Sequence, residues 1–307
     1  MTPRGADTET APGRTQAPDG VTGRPADGVT GRPAHGEVGR VVRSDASLEI
    51  DGPEAAPGPR APVSRATDRE GSRSGNPVPE ADVAGMFDAI TPVYDRMNTL
   101  MTLGSDARWR RRAVAETALG PAEAVIDVAC GTGKLTALLA GVVGPFGRAE
   151  GIDLSPVMIE KASARYRSMV QLRFQVGNAL SLPFADGEFD AATIAFGLRN
   201  LADFEGGFRE LRRVVRPGGR VVCLELSLPR SRTWARVFHG TFRRVAPVAA
   251  SIIGGRRSAY RYLPDSLDGF PPAERLALLM RSAGLTDVRF WRLSTGVVAL
   301  HRGTVPD

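Results

Sequence analysis

The sequence has few of the residues that build disulfide scaffolds or metal centres. Among its 307 residues are two cysteines, Cys130 and Cys223, and three histidines. This composition excludes a disulfide framework and disfavours a zinc site built from Cys and His. We therefore expect neither a disulfide scaffold nor a metal centre.

Long apolar runs are also absent. No run approaches the ~20 residues that a membrane-spanning helix needs, and residues 1–20 lack the apolar core of a secretory signal. We therefore expect a cytoplasmic protein. The net charge of +6 permits an anionic partner such as a nucleic acid, a phosphate-bearing ligand or an acidic membrane surface. Aromatic residues make up only 6% and do not alternate with basic ones, so we expect no nucleic-acid partner.

Residues 1–80 differ in composition from the rest of the chain. They are rich in Gly, Pro, Ala, Arg and Asp, and they contain almost no aromatic or long aliphatic residues. The octapeptide DGVTGRPA occurs twice in succession, at 19–26 and 27–34. Such a segment cannot bury enough apolar surface to offset the entropy of ordering it. We predict a disordered tail over 1–80 and one folded domain over 81–307.

The folded domain alternates between strand and helix patterns. Apolar runs predict buried strands at 124–129, 148–152, 171–176, 189–195 and 220–226. Helices are predicted at 134–143, 156–167, 204–215 and 272–283, followed by two strands at 288–293 and 296–301. The order βαβαβαβαβ, then a helix and a strand pair, predicts an α/β fold. We expect a doubly wound, mainly parallel seven-stranded sheet with helices on both faces and one antiparallel strand. A ligand should bind at the carboxyl ends of the strands.

A glycine turn follows the first of these strands. In VIDVACGTGKLT at 125–136, Gly131 and Gly133 let the backbone approach a ligand closely, and Thr132 supplies a hydroxyl. The turn lacks the third glycine of the dinucleotide-binding fingerprint and the GxxxxGK[ST] pattern of the phosphate-binding loop. By itself it is also compatible with an ordinary tight turn.

Polar side chains at two further strand ends suit a nucleoside without phosphates. Asp153 ends the second strand, where a carboxylate can accept both hydroxyls of a ribose. Asn178 and Ala179 follow the third strand and can read the edge of an adenine. An alternative role for Asp153 is to cap the helix that begins near Pro156.

Over about 124–301, this combination resembles the class I S-adenosylmethionine-dependent methyltransferases. The resemblance implies S-adenosylmethionine as the methyl donor and no metal. It assigns the methionine moiety to Asp127 and the Gly131, Thr132 and Gly133 turn, the ribose to Asp153, and the adenine to Asn178 with Ala179. A purely turn-stabilising role for Asp127 is compatible with the same position.

Several segments match a narrower family. They are FDAITPVYDRMNTLMTLGSDARW at 87–109, IAFGLRN at 194–200, RVVRPGGRVVCLELS at 213–227, and SAYRYLPDS at 258–266 with TGVVALHRG at 295–303. Together they resemble the ubiquinone/menaquinone biosynthesis C-methyltransferase family. The sequence departs from that family's pattern at Thr102, where the family has Ser, and at Asp106, where it often has His.

The resemblance implies a C-methyltransferase that transfers a methyl group from S-adenosylmethionine to a demethylated prenyl quinol, with demethylmenaquinol as the first choice. C-methylation of a ubiquinone precursor or of another aromatic, polyketide-like molecule is the alternative acceptor. An RNA methyltransferase, suggested by the charge alone, and a non-catalytic cofactor-binding scaffold are hypotheses of other classes. The sequence leaves open whether the protein forms a homo-oligomer.

Ring methylation indicates which residues act on the acceptor. A ring carbon attacks a methyl group well only when the quinol is close to its phenolate form, so the site must stabilise an oxyanion. Arg199 is expected to do so, with Asn200 and Tyr94 as further catalytic residues. Expected substrate-binding residues are Asp95, Asn98, Tyr260 and Tyr262.

Structural roles compete with these assignments. Arg199 can instead be a surface ion-pair partner of Asp203, and Tyr94 with Met97 can anchor an N-terminal helix on the sheet. Residues 234–257 mix apolar side chains with five arginines. This basic segment suits peripheral contact with the inner face of an anionic membrane, or a channel for an isoprenoid tail, or a capping helix.

Overall fold

The computed structural model describes residues 53–55, 74–227 and 269–307, with isolated residues between 229 and 267. Most of the predicted tail lies outside the described residues, as do nearly all of the basic segment 234–257 and both Tyr260 and Tyr262. Within the described part, no helix is long and apolar enough to cross a membrane.

The described chain forms eight strands and six α-helices. The strands are β1 (Glu54–Ala55), β2 (Ala124–Val128), β3 (Arg148–Asp153), β4 (Leu172–Val176), β5 (Phe189–Ala195), β6 (Val215–Leu226), β7 (Thr286–Leu293) and β8 (Val298–Thr304). The helices are α1 (Glu80–Met101), α2 (Asp106–Thr117), α3 (Lys134–Val143), α4 (Pro156–Arg165), α5 (Phe204–Val214) and α6 (Ala273–Ser282).

All eight strands belong to one sheet, in the order β1-β7-β8-β6-β5-β2-β3-β4. From β6 to β4 the neighbouring strands are parallel, whereas β8 runs antiparallel to both β6 and β7. The prediction of a mainly parallel, seven-stranded sheet with an antiparallel strand near its end is confirmed for β2 to β8. The short strand β1 extends the sheet beyond β7.

Alternating side chains of β2 supply the cores on the two faces of the sheet. Val125 packs with Leu139 of α3 on one face, while Ile126 belongs to the cluster that contains Phe208 of α5 on the other. Both strand residues are fully buried. Helices therefore cover both faces, as the continuous apolar runs of the central strands require.

Two parts of the chain differ from the sequence-based expectations. Residues 177–188, between β4 and β5, contain no helix, so the strict alternation of strand and helix was wrong there. Strand β6 begins at Val215 and not at Arg220 as predicted. Its pairing with β5 is irregular between these two residues. Two parts of the predicted tail lie among the described residues, namely β1, which pairs with β7, and residues 74–79, which precede α1. The division into a tail over 1–80 and a domain over 81–307 stays a prediction.

Candidate active site

The glycine turn lies where β2 ends and α3 begins. Gly131 and Gly133 have φ values of 55° and 76°, and Gly133 is the N-cap of α3. A Cβ atom at Gly133 would lie 2.6 Å from Cζ of Phe174. The turn therefore requires glycine at this position for two reasons, its left-handed backbone and its contact with β4.

Asp153 holds this turn from the neighbouring strand. Its Oδ2 accepts a hydrogen bond from the Gly131 N–H at 2.8 Å, and its Oδ1 accepts one from the Ser155 N–H at 2.9 Å. Burial raises the pKa of the Asp153 carboxyl, while the backbone N–H groups of Ser155, Gly131 and Leu154 oppose that shift. Because a carboxylate oxygen can accept more than one hydrogen bond, the group keeps acceptor capacity for a ligand. The side chain that caps α4 is Ser155, whose Oγ accepts from the Met158 N–H at 3.0 Å, so the capping role considered for Asp153 is wrong.

Asp127 lies beneath the turn. Its two oxygens accept hydrogen bonds from the hydroxyls of Thr136 and Thr193, each at 2.7 Å. Burial raises the pKa of Asp127 to about 6. The carboxyl thus fastens α3 and β5 to the end of β2, which fits the turn-stabilising role and leaves its contact with a ligand a prediction.

Three adjoining cavities surround the turn. The first cavity, of about 720 Å³, is lined by apolar side chains and by polar groups from the ends of three strands, including Asp153, Asn178 and Asn200. The second cavity, of about 350 Å³, is lined by residues that include Asp127, Gly131, Thr132, Lys134 and Arg110. The third cavity, of about 730 Å³, is lined by Tyr94, Asn98, Met101, Thr102, Asp106, Trp109, Arg110, Phe196, Arg199, Leu226 and Val297.

Tyr94 is common to all three cavities. Phe196 lines both the first and the third cavity, and Arg110 lines both the second and the third. Arg110 lies with its Cζ 5.5 Å from the centroid of the Phe196 ring. A ligand in the first two cavities and a second ligand in the third would therefore meet at Tyr94.

Helix α1 forms the cover of the first two cavities and is fixed by polar contacts. Asp95 accepts a hydrogen bond from the Thr132 hydroxyl at 2.7 Å, and it pairs with Arg165 at 2.6 Å and Lys134 at 3.4 Å. Thr132 and these cations lower the pKa of Asp95 against the effect of burial. Asp88 accepts from the hydroxyl of Ser155 at 2.5 Å.

The amide of Asn178 completes this cover at its amino-terminal end. Its Nδ2 donates to Oε2 of Glu80 at 2.8 Å, while its Oδ1 accepts from the Leu180 N–H at 2.8 Å. Asn178 and Ala179 both line the first cavity, beside Gly177. Both residues lie at the end of β4, as predicted. That they bind the edge of an adenine stays a prediction.

Arg199 is almost completely buried, with 4% of its surface exposed. Its Nη1 donates to Oε1 of Glu225 at 2.5 Å and to the carbonyl of Phe196 at 2.8 Å, and its Nε donates to Oγ of Ser266 at 3.3 Å. The alternative of a surface ion pair with Asp203 is wrong. Asp203 instead caps α5 by accepting from the Gly206 N–H at 2.9 Å.

The structure brings most of the predicted site residues together but divides them between cavities. Arg199 and Asn98 line the third cavity, whereas Asn200 lines the first. Asp95 faces the glycine turn and lines the second cavity, not the third. Tyr260 and Tyr262 lie outside the described residues.

Sequence reasoning assigned no role to three residues at the third cavity or behind it. Trp109 donates from Nε1 to Oγ of Ser294 at 3.0 Å, and Arg110 pairs with Asp106 at 2.5 Å. Glu225 holds Arg199. The i,i+4 spacing of the acid and base on α2 was a readable signal, whereas Glu225 lies within an otherwise apolar strand and becomes significant only in the folded chain.

Solved structures share this fold. A [4+2]-cyclase called SpnF matches with a TM-score of 0.57 and 20% identity, covering 76% of this chain and 99% of its own. A methyltransferase from Thermotoga maritima, described as S-adenosylmethionine-dependent and a possible histamine N-methyltransferase, matches with a TM-score of 0.51 and 20% identity, over 72% and 98%. The sheet order, glycine turn and acidic strand end define the fold of the class I S-adenosylmethionine-dependent methyltransferases.

Sequence comparison places the chain within this class. The profile of the ubiE/COQ5 methyltransferase family matches residues 76–305. A protein of Thermus thermophilus named demethylmenaquinone methyltransferase is 44% identical over 225 residues, which cover 72% of this chain and 100% of the relative. A protein of the same name from Desulfitobacterium hafniense is 41% identical over 231 residues, which cover 74% of this chain and 90% of the relative. The chain belongs to the ubiE/COQ5 methyltransferase family, which confirms the family resemblance.

Proposed function

We propose that the protein is a C-methyltransferase that transfers a methyl group from S-adenosylmethionine to demethylmenaquinol. The observation that carries this proposal is the pair of large cavities that meet at Tyr94, one at the glycine turn and one lined by apolar side chains and Arg199. Relatives of at least 40% identity that carry the name demethylmenaquinone methyltransferase support the choice of acceptor.

The residues of the first two cavities fit the donor. The left-handed turn at Gly131 leaves the backbone open to close approach, and the Asp153 carboxylate, which lines the first cavity, can accept from the ribose hydroxyls. Arg110 and Lys134 supply positive charge in the second cavity, where an amino-acid carboxylate would lie. When bound, S-adenosylmethionine supplies an electrophilic methyl group on a sulfonium.

The third cavity suits a quinol ring that is close to its phenolate form. Glu225, the Phe196 carbonyl and Ser266 orient the guanidinium of Arg199 through Nη1 and Nε. Nη2 makes no hydrogen bond within the described residues, and its N–H groups can donate to a ring oxyanion. An arginine guanidinium is a donor and not a base in proteins, so the role assigned to Arg199 is electrostatic.

Tyr94 and Asn98 extend from α1 into the third cavity and can hydrogen-bond the ring oxygens. Asn200 borders the first cavity, so its part in the reaction would be exerted from the donor side. For Asp95, the contacts with Thr132 and Arg165 support a positioning role, in which the carboxylate keeps α1 closed over the glycine turn.

The experiment is direct methylation by the purified chain. Labelled S-adenosylmethionine is incubated with demethylmenaquinol and, in parallel, with a demethylated ubiquinone precursor, and the label is located by mass spectrometry. We expect label on a ring carbon of the menaquinol. Label only on the ubiquinone precursor, or on neither quinol while the donor still binds, would refute this acceptor. Asp153→Ala serves as the control that should lose methylation of both.

A further inference from the structure

The turn between α1 and α2 exposes large apolar side chains. Leu103 is 88% exposed and Leu100 is 47% exposed. Leu103 also has a φ of 49°, a left-handed conformation that a non-glycine residue adopts at a cost of about 1 kcal/mol or more. The fold therefore maintains at Leu103 a leucine that is both strained and in water, although it gains no packing from it.

Exposed arginines flank these leucines in the sequence, and no exposed acidic residue lies among them. Arg96, Arg108 and Arg111 are exposed, and none of them forms an ion pair with another described residue. The one acidic residue of the segment 96–112 is Asp106, which is buried against Arg110. The turn thus presents apolar and cationic groups together, the combination that binds an anionic lipid surface.

The same turn forms one wall of the third cavity. Asn98, Met101 and Thr102 line the cavity from α1, and Asp106 and Trp109 line it from α2. The exposed leucines are chain neighbours of these lining residues. A surface that covers the turn would therefore lie next to the cavity proposed for the acceptor.

We propose that the α1–α2 turn, with Leu100, Leu103, Arg108 and Arg111, docks on the surface of an anionic bilayer. This inference rests on the proposed function, because a prenyl quinol resides in the bilayer and has to reach the third cavity from it. The leucines enter the boundary between headgroups and acyl chains, while the arginines contact lipid phosphates.

Two other occupants fit the turn less well. A second copy of the same surface would bring like charges together, which disfavours self-association through it. A nucleic acid would contact the arginines, but single strands bind to exposed aromatic side chains, and this turn exposes leucines instead.

Binding to vesicles tests the proposal without any measurement of activity. The full chain is sedimented with vesicles of phosphatidylcholine alone and with vesicles that contain phosphatidylglycerol as well. We expect binding to the anionic vesicles only, weakened about tenfold by Leu103→Ser and about tenfold by the double variant Arg108→Glu with Arg111→Glu. The loss caused by the arginine variant should shrink at high salt.

Matched controls lie at the amino ends of β3 and β4, away from the carboxyl ends where the cavities lie. Phe146, between α3 and β3, is 90% exposed, and Arg167, just after α4, is exposed as well. Phe146→Ser and Arg167→Glu should leave vesicle binding unchanged. The proposal would be overturned if the Leu103 variant and the arginine variant bound anionic vesicles as tightly as the native protein does.

Two further outcomes would also overturn it. One is a dimer that Leu103→Ser dissociates without changing vesicle binding, and the other is binding of a labelled oligonucleotide in place of vesicles. Methylation of a short-chain quinol in detergent separates the two proposals. If the native protein methylates that quinol but binds no vesicles, only the docking surface fails; if it binds vesicles but methylates no quinol, only the proposed function fails.

Discussion

Arg199 and Glu225 form an ion pair that is enclosed between β5 and β6 at the back of the third cavity. Both side chains are buried, and Glu225 also accepts from the backbone N–H groups of Arg199 and Leu226, at 3.3 and 2.7 Å. A buried charge that loses its partner costs about 3–5 kcal/mol. The pair therefore fixes the guanidinium in one position, and each residue depends on the other.

This relationship predicts that Glu225→Gln lowers kcat at least tenfold (about 1.4 kcal/mol of transition-state stabilisation) and leaves the Kd for S-adenosylmethionine unchanged. The reason is that the amide still fills the space but no longer fixes the cation that stabilises the ring oxyanion. Steady-state kinetics with demethylmenaquinol and calorimetry with the donor give the two quantities.

Arg199→Lys is the companion variant for this prediction. It keeps the positive charge but loses the planar fork, so it should also lower kcat while donor binding is retained. Donor affinity that falls in parallel with kcat in both variants would show that the pair supports the fold and not the acceptor.

Asp153→Ala should weaken S-adenosylmethionine binding by roughly 100-fold, because the loss of two charge-assisted hydrogen bonds costs about 3 kcal/mol or more. The Gly131 N–H also loses its acceptor, which loosens the glycine turn. Calorimetric titration with the donor measures the change.

Asp203→Ala is the matched control, since that carboxylate also accepts from a backbone N–H but lies at no described cavity. It should cost about 1 kcal/mol of stability without changing donor affinity, and affinity within threefold of native for Asp153→Ala would contradict the ribose role.

Two glycine-to-alanine variants separate the cost of backbone strain from the cost of the contact between the glycine turn and Phe174. Gly133 and Gly104 have nearly equal φ values, 76° and 75°, but an added Cβ would collide with Phe174 at Gly133 and would meet no atom within 4 Å at Gly104. Gly104→Ala should cost about 1 kcal/mol, and Gly133→Ala should cost more and weaken donor binding. Denaturant unfolding and calorimetry measure the two effects. Equal losses of stability in the two variants would show that the contact with Phe174 relaxes freely.

The features that depend on local sequence patterns could be predicted from the sequence alone. The buried strands, the glycine turn and Asp153 at the tip of β3 could be predicted because apolar periodicity and turn chemistry are local in the chain. The parallel order then places the strand ends at one edge, so Asp153 meets Gly131. The fold predicted from the sequence thus brings the two residues to the same edge, and the structure joins them by a hydrogen bond.

The features that were not predictable depend on residues that meet only in the folded chain. Glu225 reads as part of an apolar strand, and its partner Arg199 is 26 positions away. Asp95 was expected at the acceptor together with Tyr94 and Asn98, yet adjacent side chains on helix α1 point in different directions, and Asp95 faces Thr132. The hydrogen bond from Thr132 to Asp95, which holds helix α1 over the glycine turn, joins residues 37 positions apart and forms only in the folded chain.

The last prediction concerns pH. Burial lowers the pKa of His301 from 6.5 to about 4, while its Nε2 lies 2.9 Å from the carbonyl of Ala273. Between pH 6.5 and 4 the unfolded chain binds a proton that the folded chain does not, so acidification through this window destabilises the fold, by about 3 kcal/mol when complete. Asp127 acts in the opposite direction: burial raises its pKa to about 6, so the folded chain binds a proton there and is stabilised by acid.

The comparison of native protein with His301→Gln separates these contributions, because Asp127 is present in both. Glutamine can still donate to the Ala273 carbonyl but does not titrate. We expect the free energy of unfolding of the native protein, relative to that of the variant, to fall as the pH is lowered from 7 to 4. Urea unfolding at half-unit steps of pH measures this difference. A difference that is constant across the window would mean that His301 takes up its proton in the folded protein as readily as in the unfolded chain.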